Sequence, residues 1–156
     1  MTWKAEKTGL TKEFNFNNFV EAVAFVDKIV PLAEAMNHHP DVLIYAYKKV
    51  KITLFTHSEK KITKKDYILA KRIDQIEKDI KKNIERVEEI IKEAHEVISP
   101  IEINKRLPEK MNANILQGIL RHLQESGKIE FAPKGVLWIW VERKELDALI
   151  KKGREM

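Results

Sequence analysis

The chain contains no cysteine, which excludes disulfide cross-links, thiolate catalysis and zinc sites built from cysteine. It also lacks any run of about 18 uninterrupted apolar residues, so the sequence predicts no membrane-spanning helix. The N-terminus has no apolar region of the kind that marks a signal peptide. A cytoplasmic protein without membrane partners is therefore expected.

Positive charge is only modestly in excess, with a formal net charge of +5 over 156 residues. This basic bias permits nucleic acid as a partner but does not demand it. The 44% of apolar residues is enough to build a core, so the chain is not expected to be disordered. The length suits one ordinary domain or two small ones.

The first half of the sequence alternates strand-like and helical patterns. Thr8-Gly9 is a plausible hairpin turn, and Asn18 with Glu21 resembles a capping box that opens a helix in which Pro31 is a candidate kink. Thr63 and Asp66 form a second capping pair. The pattern predicts an α+β fold with an antiparallel four-stranded sheet and helices on one face. Strands are expected at residues 3–6, 10–16, 43–47 and 50–57.

One helical pattern is unusually long and runs from Asp66 to Val97. Its apolar residues recur every three or four positions and are flanked by lysine and glutamate, as in a heptad stripe. A helix of that length exceeds what one small core can cover. The pattern therefore indicates either a spacer between two domains or an oligomerisation seam, with equal weight.

The second half predicts a short helix, a second helix, a hairpin and a last helix. Ser99-Pro100 begins the first helix and Pro108 ends it, and Asn112 or Ala113 begins the second. The hairpin turns at residues 133–135, and a last helix is expected over 142–152. The predicted domains are residues 1–76, a connecting helix at 77–97 and a C-terminal domain at 98–156.

Residues 87–141 resemble a winged helix-turn-helix domain in the order of their elements. In such a domain, the third helix enters the major groove of DNA with its polar face. The resemblance implies that DNA is a candidate partner. The alternative is a module that binds protein or builds a dimer. The implied DNA-binding residues are Asn114, Gln117, Arg121 and Lys134.

Three of the five histidines lie close together in the sequence, as His38-His39-Pro40 and then His57. Histidine has an unperturbed pKa of ~6.5, so it can give or take a proton near neutral pH. The cluster therefore predicts proton-transfer chemistry. A metal site is less favoured, because the side chains of adjacent histidines diverge and rarely reach one ion.

An acidic residue precedes the histidine pair by four positions, and an aromatic residue, a third histidine and an aspartate follow it. This order is similar to the signature of the pterin-4a-carbinolamine dehydratases, and the resemblance covers about residues 3–76. Two positions depart from the family pattern, since Asn37 stands where an acidic residue is common and Leu43 where tryptophan is common. The signature residues are Glu34, His38, His39, Pro40, Tyr47, His57 and Asp66.

The resemblance implies loss of water from a 4a-hydroxytetrahydropterin such as a tetrahydrobiopterin derivative, without metal or cofactor. His38 and His57 would be the general acid and base, and His39 would hold the pterin. Glu34, His39 and Asp66 are the implied substrate-binding residues, with a capping role equally plausible for Asp66. Glu34, one helical turn before His38, is expected to orient or recharge an imidazole.

Three further expectations concern the same region. Pro40 is expected to end the preceding helix and aim the histidine pair outward, and Tyr47 is expected to pack rather than react. The alternative function is a DNA-binding or transcription-linked regulator that uses the dehydratase-like domain to sense a pterin or to dimerise. The long stripe and the family both favour a homo-oligomer, either a dimer or a tetramer.

Overall fold

The structure is a computed structural model that describes residues 2–154. None of its helices is both long enough and apolar enough to cross a membrane. In chain order the elements are β1 (Lys4–Glu6), β2 (Gly9–Asn15), α1 (Phe19–Met36), β3 (Asp41–Tyr45), β4 (Lys49–Leu54), α2 (Lys64–Ala94), α3 (Pro100–Arg106), α4 (Ala113–Glu125), β5 (Ile129–Ala132), β6 (Gly135–Trp138) and α5 (Arg143–Arg154).

The first four strands form one antiparallel sheet in the order β1-β2-β4-β3, as predicted. The first strand of the second hairpin spans Asp41–Tyr45 instead of the expected residues 43–47. It ends at Tyr45 because Ala46 and Tyr47 both have positive φ, at 45° and 52°. Together with Lys48 they form the three-residue loop between the paired residues Tyr45 and Lys49. Tyr47 therefore belongs to the turn, and its 62% exposure shows that the expected packing role was wrong.

Helices α1 and α2 cover one face of this sheet. Asn18 caps α1 through its Oδ1, which accepts a hydrogen bond from the Glu21 amide at 2.9 Å, as the sequence predicted. Inward residues of β2 and β4 meet the two helices in a single core. Its largest fully buried members are Phe14, Phe25, Ile29, Ile52, Leu54, Leu69 and Ile73.

Helix α1 ends at Met36 rather than at Pro40. Asn37 adopts the left-handed conformation, with φ 44° and ψ 48°. Its amide donates to the Glu34 carbonyl at 3.0 Å, and the His38 amide donates to the Ala33 carbonyl at 3.1 Å. This is the Schellman arrangement, which asparagine tolerates. The expectation for Pro40 was therefore wrong, and α1 continues through Pro31.

A buried lysine ties the sheet to α2. Lys12 lies between Leu10 and Phe14 on the inward face of β2, where an apolar residue would be usual. Its Nζ lies 2.8 Å from Asp74 Oδ1 and 3.0 Å from Glu77 Oε2. Burial lowers the pKa of Lys12, but the hydrogen bonds to the two carboxylates outweigh it and leave the pKa raised.

Helix α2 is continuous for 31 residues, or ~46 Å at about 1.5 Å per residue. Its first turns bury Leu69 and Ile73 in the sheet core, and its last turns bury Val87 and Ile91 in a second core. One helix thus contributes to two separate hydrophobic cores. This favours the spacer interpretation over an oligomerisation seam for the buried stripe.

The second core is formed by the end of α2 together with α3, α4 and the β5–β6 hairpin. Ile98 and Val136 form an isolated antiparallel bridge beside this hairpin. The predicted order of helix, helix, helix and hairpin is present, and the winged-helix assignment itself stays a prediction. Trp138 packs against the core, whereas Trp140 is 48% exposed.

The two halves of the chain also touch through α1 and α4. Asn18 Nδ2 donates to the Gly118 carbonyl at 3.1 Å, while the same residue caps α1. Gly118 is buried, and a Cβ at this position would lie 3.5 Å from the Val20 side chain. Ala24 and Asn112 line a small cavity of about 130 Å³ between the two halves.

Gly135→Ala should destabilise the second core, because a Cβ there would lie 2.1 Å from the Ile98 carbonyl oxygen and 2.6 Å from its carbon. Backbone atoms cannot move aside as a flexible side chain can. We expect a loss of about 3 kcal/mol in unfolding free energy by urea denaturation. Gly153→Ala, with nothing within 4 Å, is the control and should be neutral or slightly stabilising.

Candidate active site

A buried carboxylate connects the end of β4, the start of α2 and the residue after α1. Asp66 has no exposed surface. Its Oδ2 accepts hydrogen bonds from the Thr63 amide and from Thr56 Oγ1, both at 2.7 Å. Its Oδ1 lies 2.7 Å from His38 Nε2. One oxygen therefore caps α2, as predicted, while the other holds an imidazole.

Burial alone would raise the pKa of Asp66. The hydrogen bonds from the Thr63 amide, Thr56 and His38 outweigh that effect, so its pKa lies below the ordinary value of 3.8. The group is therefore a carboxylate at neutral pH, and it can accept all of these hydrogen bonds. The carboxylate is fully enclosed and contacts His38, and its substrate-binding role stays a prediction.

His38 points inward as a result of the helix ending before it. The left-handed Asn37 reverses the chain direction, and only 8% of His38 is exposed. Because Nε2 faces Asp66, Nδ1 is the ring nitrogen left for chemistry. A carboxylate on one ring nitrogen fixes the orientation of the ring.

His39 points outward and pairs with a different carboxylate. Its Nε2 lies 3.0 Å from Glu34 Oε1, and both side chains are more than half exposed. The sequence had predicted that Glu34 orients an imidazole, and the imidazole it contacts is that of His39, because the chain reversal turns His38 away from α1. The His39 and Glu34 pair borders a cavity of about 180 Å³ with an otherwise aliphatic lining of Val26, Ile29, Val30, Ala33, Pro40 and Val42.

His57 lies in a turn closed by a bridge between Thr56 and Lys61. It is exposed, and its ring meets the Phe55 ring edge-on, with the centroids 5.4 Å apart. Through the neighbouring Thr56 it is linked to Asp66 and hence to His38. Hydrogen bonds to Asp66 thus connect His38 with Thr56, the residue next to His57, whereas His39 faces the separate aliphatic cavity.

Thr56 was not singled out from the sequence as a site residue. The signal was present, since Thr56 continues the inward series of Ile52 and Leu54 on β4 and is 5% exposed. A hydroxyl at an inward position must find a hydrogen-bonding partner. Here the partners are Asp66 Oδ2 and Thr63 Oγ1, both at 2.7 Å.

The residues predicted to contact DNA are placed on two surfaces. Asn114, Gln117 and Arg121 line a groove of about 460 Å³ between α1 and α4, opposite residues of the first domain. Lys134 is exposed in the β5–β6 turn, outside this groove. In the described range 2–154, no group of three or more histidine, aspartate or glutamate side chains could hold a metal ion.

Replacing Asp66 with asparagine should remove most of the stabilisation that this cluster provides, about 3 kcal/mol at neutral pH. The folded-state pKa of Asp66 is lowered, so its contribution is complete above the ordinary value of 3.8 and is lost as pH falls through the folded-state pKa. Urea unfolding should therefore show the difference between wild type and variant shrinking in acid. Glu59→Gln, at an exposed position, is the control; an equal difference at all pH values would contradict the assignment.

Comparison with known proteins covers the half of the chain that contains this site. The model of the family described as pterin 4 alpha carbinolamine dehydratase matches residues 1–76. A Sulfolobus acidocaldarius protein named "Putative pterin-4-alpha-carbinolamine dehydratase" is 49% identical over 75 residues, which are 48% of this chain and 81% of that protein. A protein of the same name from Trichormus variabilis is 46% identical over 74 residues, 47% of this chain and 78% of its own length.

A solved structure of a transcriptional coactivator/pterin dehydratase from Brucella melitensis is 33% identical, with a TM-score of 0.45. The match covers 47% of this chain and 80% of that one. The family model and the relatives, which this chain covers over about four fifths of their own length, agree with one another. On these grounds the chain belongs to the pterin-4-alpha-carbinolamine dehydratase family.

Proposed function

We propose that this protein is a 4a-hydroxytetrahydropterin dehydratase that works by histidine acid–base catalysis, without metal or cofactor. The observation that supports this most directly is the buried His38–Asp66 pair, whose oxygen–nitrogen distance is 2.7 Å. It holds one imidazole in a fixed orientation next to the strand end that carries His57. Family membership supplies the pterin as the substrate class.

The reaction removes water from the carbinolamine. The bond between C4a and the hydroxyl oxygen breaks, the oxygen leaves with a proton supplied by an acid, and a base accepts the proton of a ring N–H. Hydroxide is a poor leaving group, so protonation must accompany its departure. The products are quinonoid dihydropterin and water, and no electrons are gained or lost.

His38 and His57 supply the acid and the base in this proposal. Asp66 acts through His38 as a positioning residue, because its carboxylate contacts Nε2 and leaves Nδ1 for the substrate. His57 is exposed in its turn and free to approach a bound ring from the opposite side. A protonated imidazole at one histidine and a neutral imidazole at the other would complete the proton transfer.

His39 and Glu34 bind the pterin in this proposal. Their exposed pair borders the 180 Å³ cavity, which is mostly aliphatic and smaller than a typical pocket for a drug-sized ligand. The polar pair suits the hydrogen-bonding edge of the pterin ring. Leu43 is 56% exposed on β3 and lines a different surface, together with Asp41, Lys51 and Thr53.

His38→Ala and His57→Ala should each lower kcat by about 10² or more, the lower range of a general acid–base contribution. His39→Ala should mainly raise KM, since it removes binding and leaves the acid and base in place. Turnover of a 4a-hydroxytetrahydropterin above its spontaneous rate is the measurement. His122→Ala, on α4, is the matched control and should keep wild-type turnover.

Asp66→Asn should lower kcat more than it changes KM, because the imidazole of His38 loses the carboxylate that fixes its orientation. Circular dichroism would verify that each variant is folded. Folded wild-type protein with no turnover above the spontaneous rate would refute the enzymatic proposal. Equal turnover by wild type and both His38→Ala and His57→Ala would refute the assigned residues.

A second candidate function is a DNA-binding or transcription-linked regulator. The observation that favours it is the order of α3, α4 and the β5–β6 hairpin behind the last turns of α2, which resembles a winged helix. In this proposal α4 reads base edges and Lys134 contacts a phosphate. The α1 residues across the groove would have to separate from α4 before a duplex could reach Asn114, Gln117 and Arg121.

If α4 binds DNA, the affinity should fall steeply with salt, and Arg121→Ala should weaken it. Fluorescence anisotropy with a duplex over a salt series is the measurement. Arg106→Ala, on the neighbouring α3, is the control for a general loss of positive charge. Affinity that is equal in Arg121→Ala and in wild type would argue against α4 as the reading helix.

A further inference from the structure

Thr56 is a buried threonine whose hydroxyl takes part in two short hydrogen bonds. The residue is 5% exposed, and its Oγ1 lies 2.7 Å from Asp66 Oδ2 and 2.7 Å from Thr63 Oγ1. A hydrogen bond of this length to an ionised carboxylate is among the stronger ones in proteins. The residues predicted to act as acid, as base or in substrate binding do not include Thr56.

The directions of these hydrogen bonds follow from the charge of Asp66. An ionised carboxylate only accepts, so the one proton of the Thr56 hydroxyl goes to Asp66 Oδ2. The hydroxyl of Thr63 lies closer to Thr56 Oγ1 than to Asp66 Oδ2, at 2.7 Å against 3.3 Å, so its proton goes mainly to Thr56. An ordered chain of donors therefore runs from the start of α2 through both threonines to the carboxylate.

The other oxygen of Asp66 determines which nitrogen of His38 carries a proton. Because Oδ1 can only accept, His38 Nε2 donates to it at 2.7 Å, and the neutral ring keeps a lone pair on Nδ1. Thr56 and the Thr63 amide both donate to Oδ2, which holds the carboxylate with Oδ1 directed at the ring. The hydroxyl of Thr56 thus acts on His38 through Asp66.

The main chain of Thr56 holds the turn that carries His57. Its amide donates to the Lys61 carbonyl at 3.2 Å, and its carbonyl accepts from the Glu59 amide at 3.1 Å. Within this turn, the His57 carbonyl accepts from the Lys60 amide at 3.3 Å. The backbone position of His57 therefore depends on where Thr56 is anchored.

We propose that Thr56 is a positioning residue that fixes the acid and the base of the proposed dehydratase relative to each other. Its side chain orients His38 through Asp66, and its main chain places His57. The effect on turnover rests on the proposed function, whereas the orientation of His38 can be measured without it. Thr56 does not line the cavity beside His39, so its hydroxyl should affect kcat rather than KM.

Thr56→Val removes the hydroxyl and keeps the shape of the side chain. We expect kcat to fall about tenfold or more and KM to stay within about twofold, because misplaced catalytic groups lose rate even when binding is intact. Thr56→Ser, which restores the hydroxyl, should recover most of the wild-type kcat. Thr11→Val is the matched control and should keep wild-type kcat, since Thr11 is also 5% exposed but donates to the Lys4 carbonyl, outside the site.

A double-mutant cycle tests whether Thr56 acts through Asp66. In the Asp66→Asn background, Thr56→Val should lower kcat by a smaller factor than it does in wild type, because the route to His38 is already broken. Factors that simply multiply would overturn this route. Circular dichroism would verify that each variant is folded.

Nitrogen NMR of the histidine rings tests the positioning without any turnover. In wild type and in Thr56→Ser, neutral His38 should carry its proton on Nε2. In Thr56→Val that proton should exchange with water at least about tenfold faster, because the carboxylate loses one of the hydrogen bonds that hold it.

The two readouts separate failure of this inference from failure of the proposed function. Faster exchange in Thr56→Val, with a wild type that shows no turnover, would refute the dehydratase and support the role of Thr56 in orienting His38. Wild-type kcat in a folded Thr56→Val would overturn the inference, as would a loss of kcat that Thr56→Ser does not restore. A wild-type His38 that carries its neutral-form proton on Nδ1 would also overturn it.

Discussion

The carboxylate of Asp66 has no contact with solvent, and four hydrogen bonds converge on it from the end of β4, the cap of α2 and His38. A buried charge of this kind is tolerated only when it is fully paired. The need to pair this buried charge therefore holds together the end of β4, the start of α2 and His38, two of which are distant in the sequence. The start of the longest helix and the orientation of a candidate catalytic imidazole depend on the same two oxygens.

That dependence explains why the adjacent histidines have different environments. The left-handed Asn37 turns the chain so that His38 faces the buried carboxylate and His39 faces the exposed Glu34. The carboxylate of Asp66 fixes the imidazole of His38, and the imidazole of His39 lies at the edge of an aliphatic cavity. In the proposed reaction, the fixed ring handles a proton and the exposed ring binds the pterin.

Helix α2 connects two cores, and only the first of them lies within the residues that the family model matches. Its first turns complete the domain that relatives share, and its last turns complete a core that lies beyond the matched residues. The Asn18–Gly118 hydrogen bond adds a second link between the two halves. The groove beside this link is formed by both halves, so a partner bound there would contact both of them.

The sequence by itself determined the elements, since apolar periodicity and capping pairs such as Thr63 and Asp66 act locally. It also indicated the family, because the spacing of the signature histidines can be read directly from the sequence. Only the tertiary structure decided which carboxylate meets which imidazole, because Asp66 and His38 are 28 residues apart and their contact depends on the chain reversal at Asn37. The division of α2 between two cores was likewise settled by long-range packing, which local patterns do not encode.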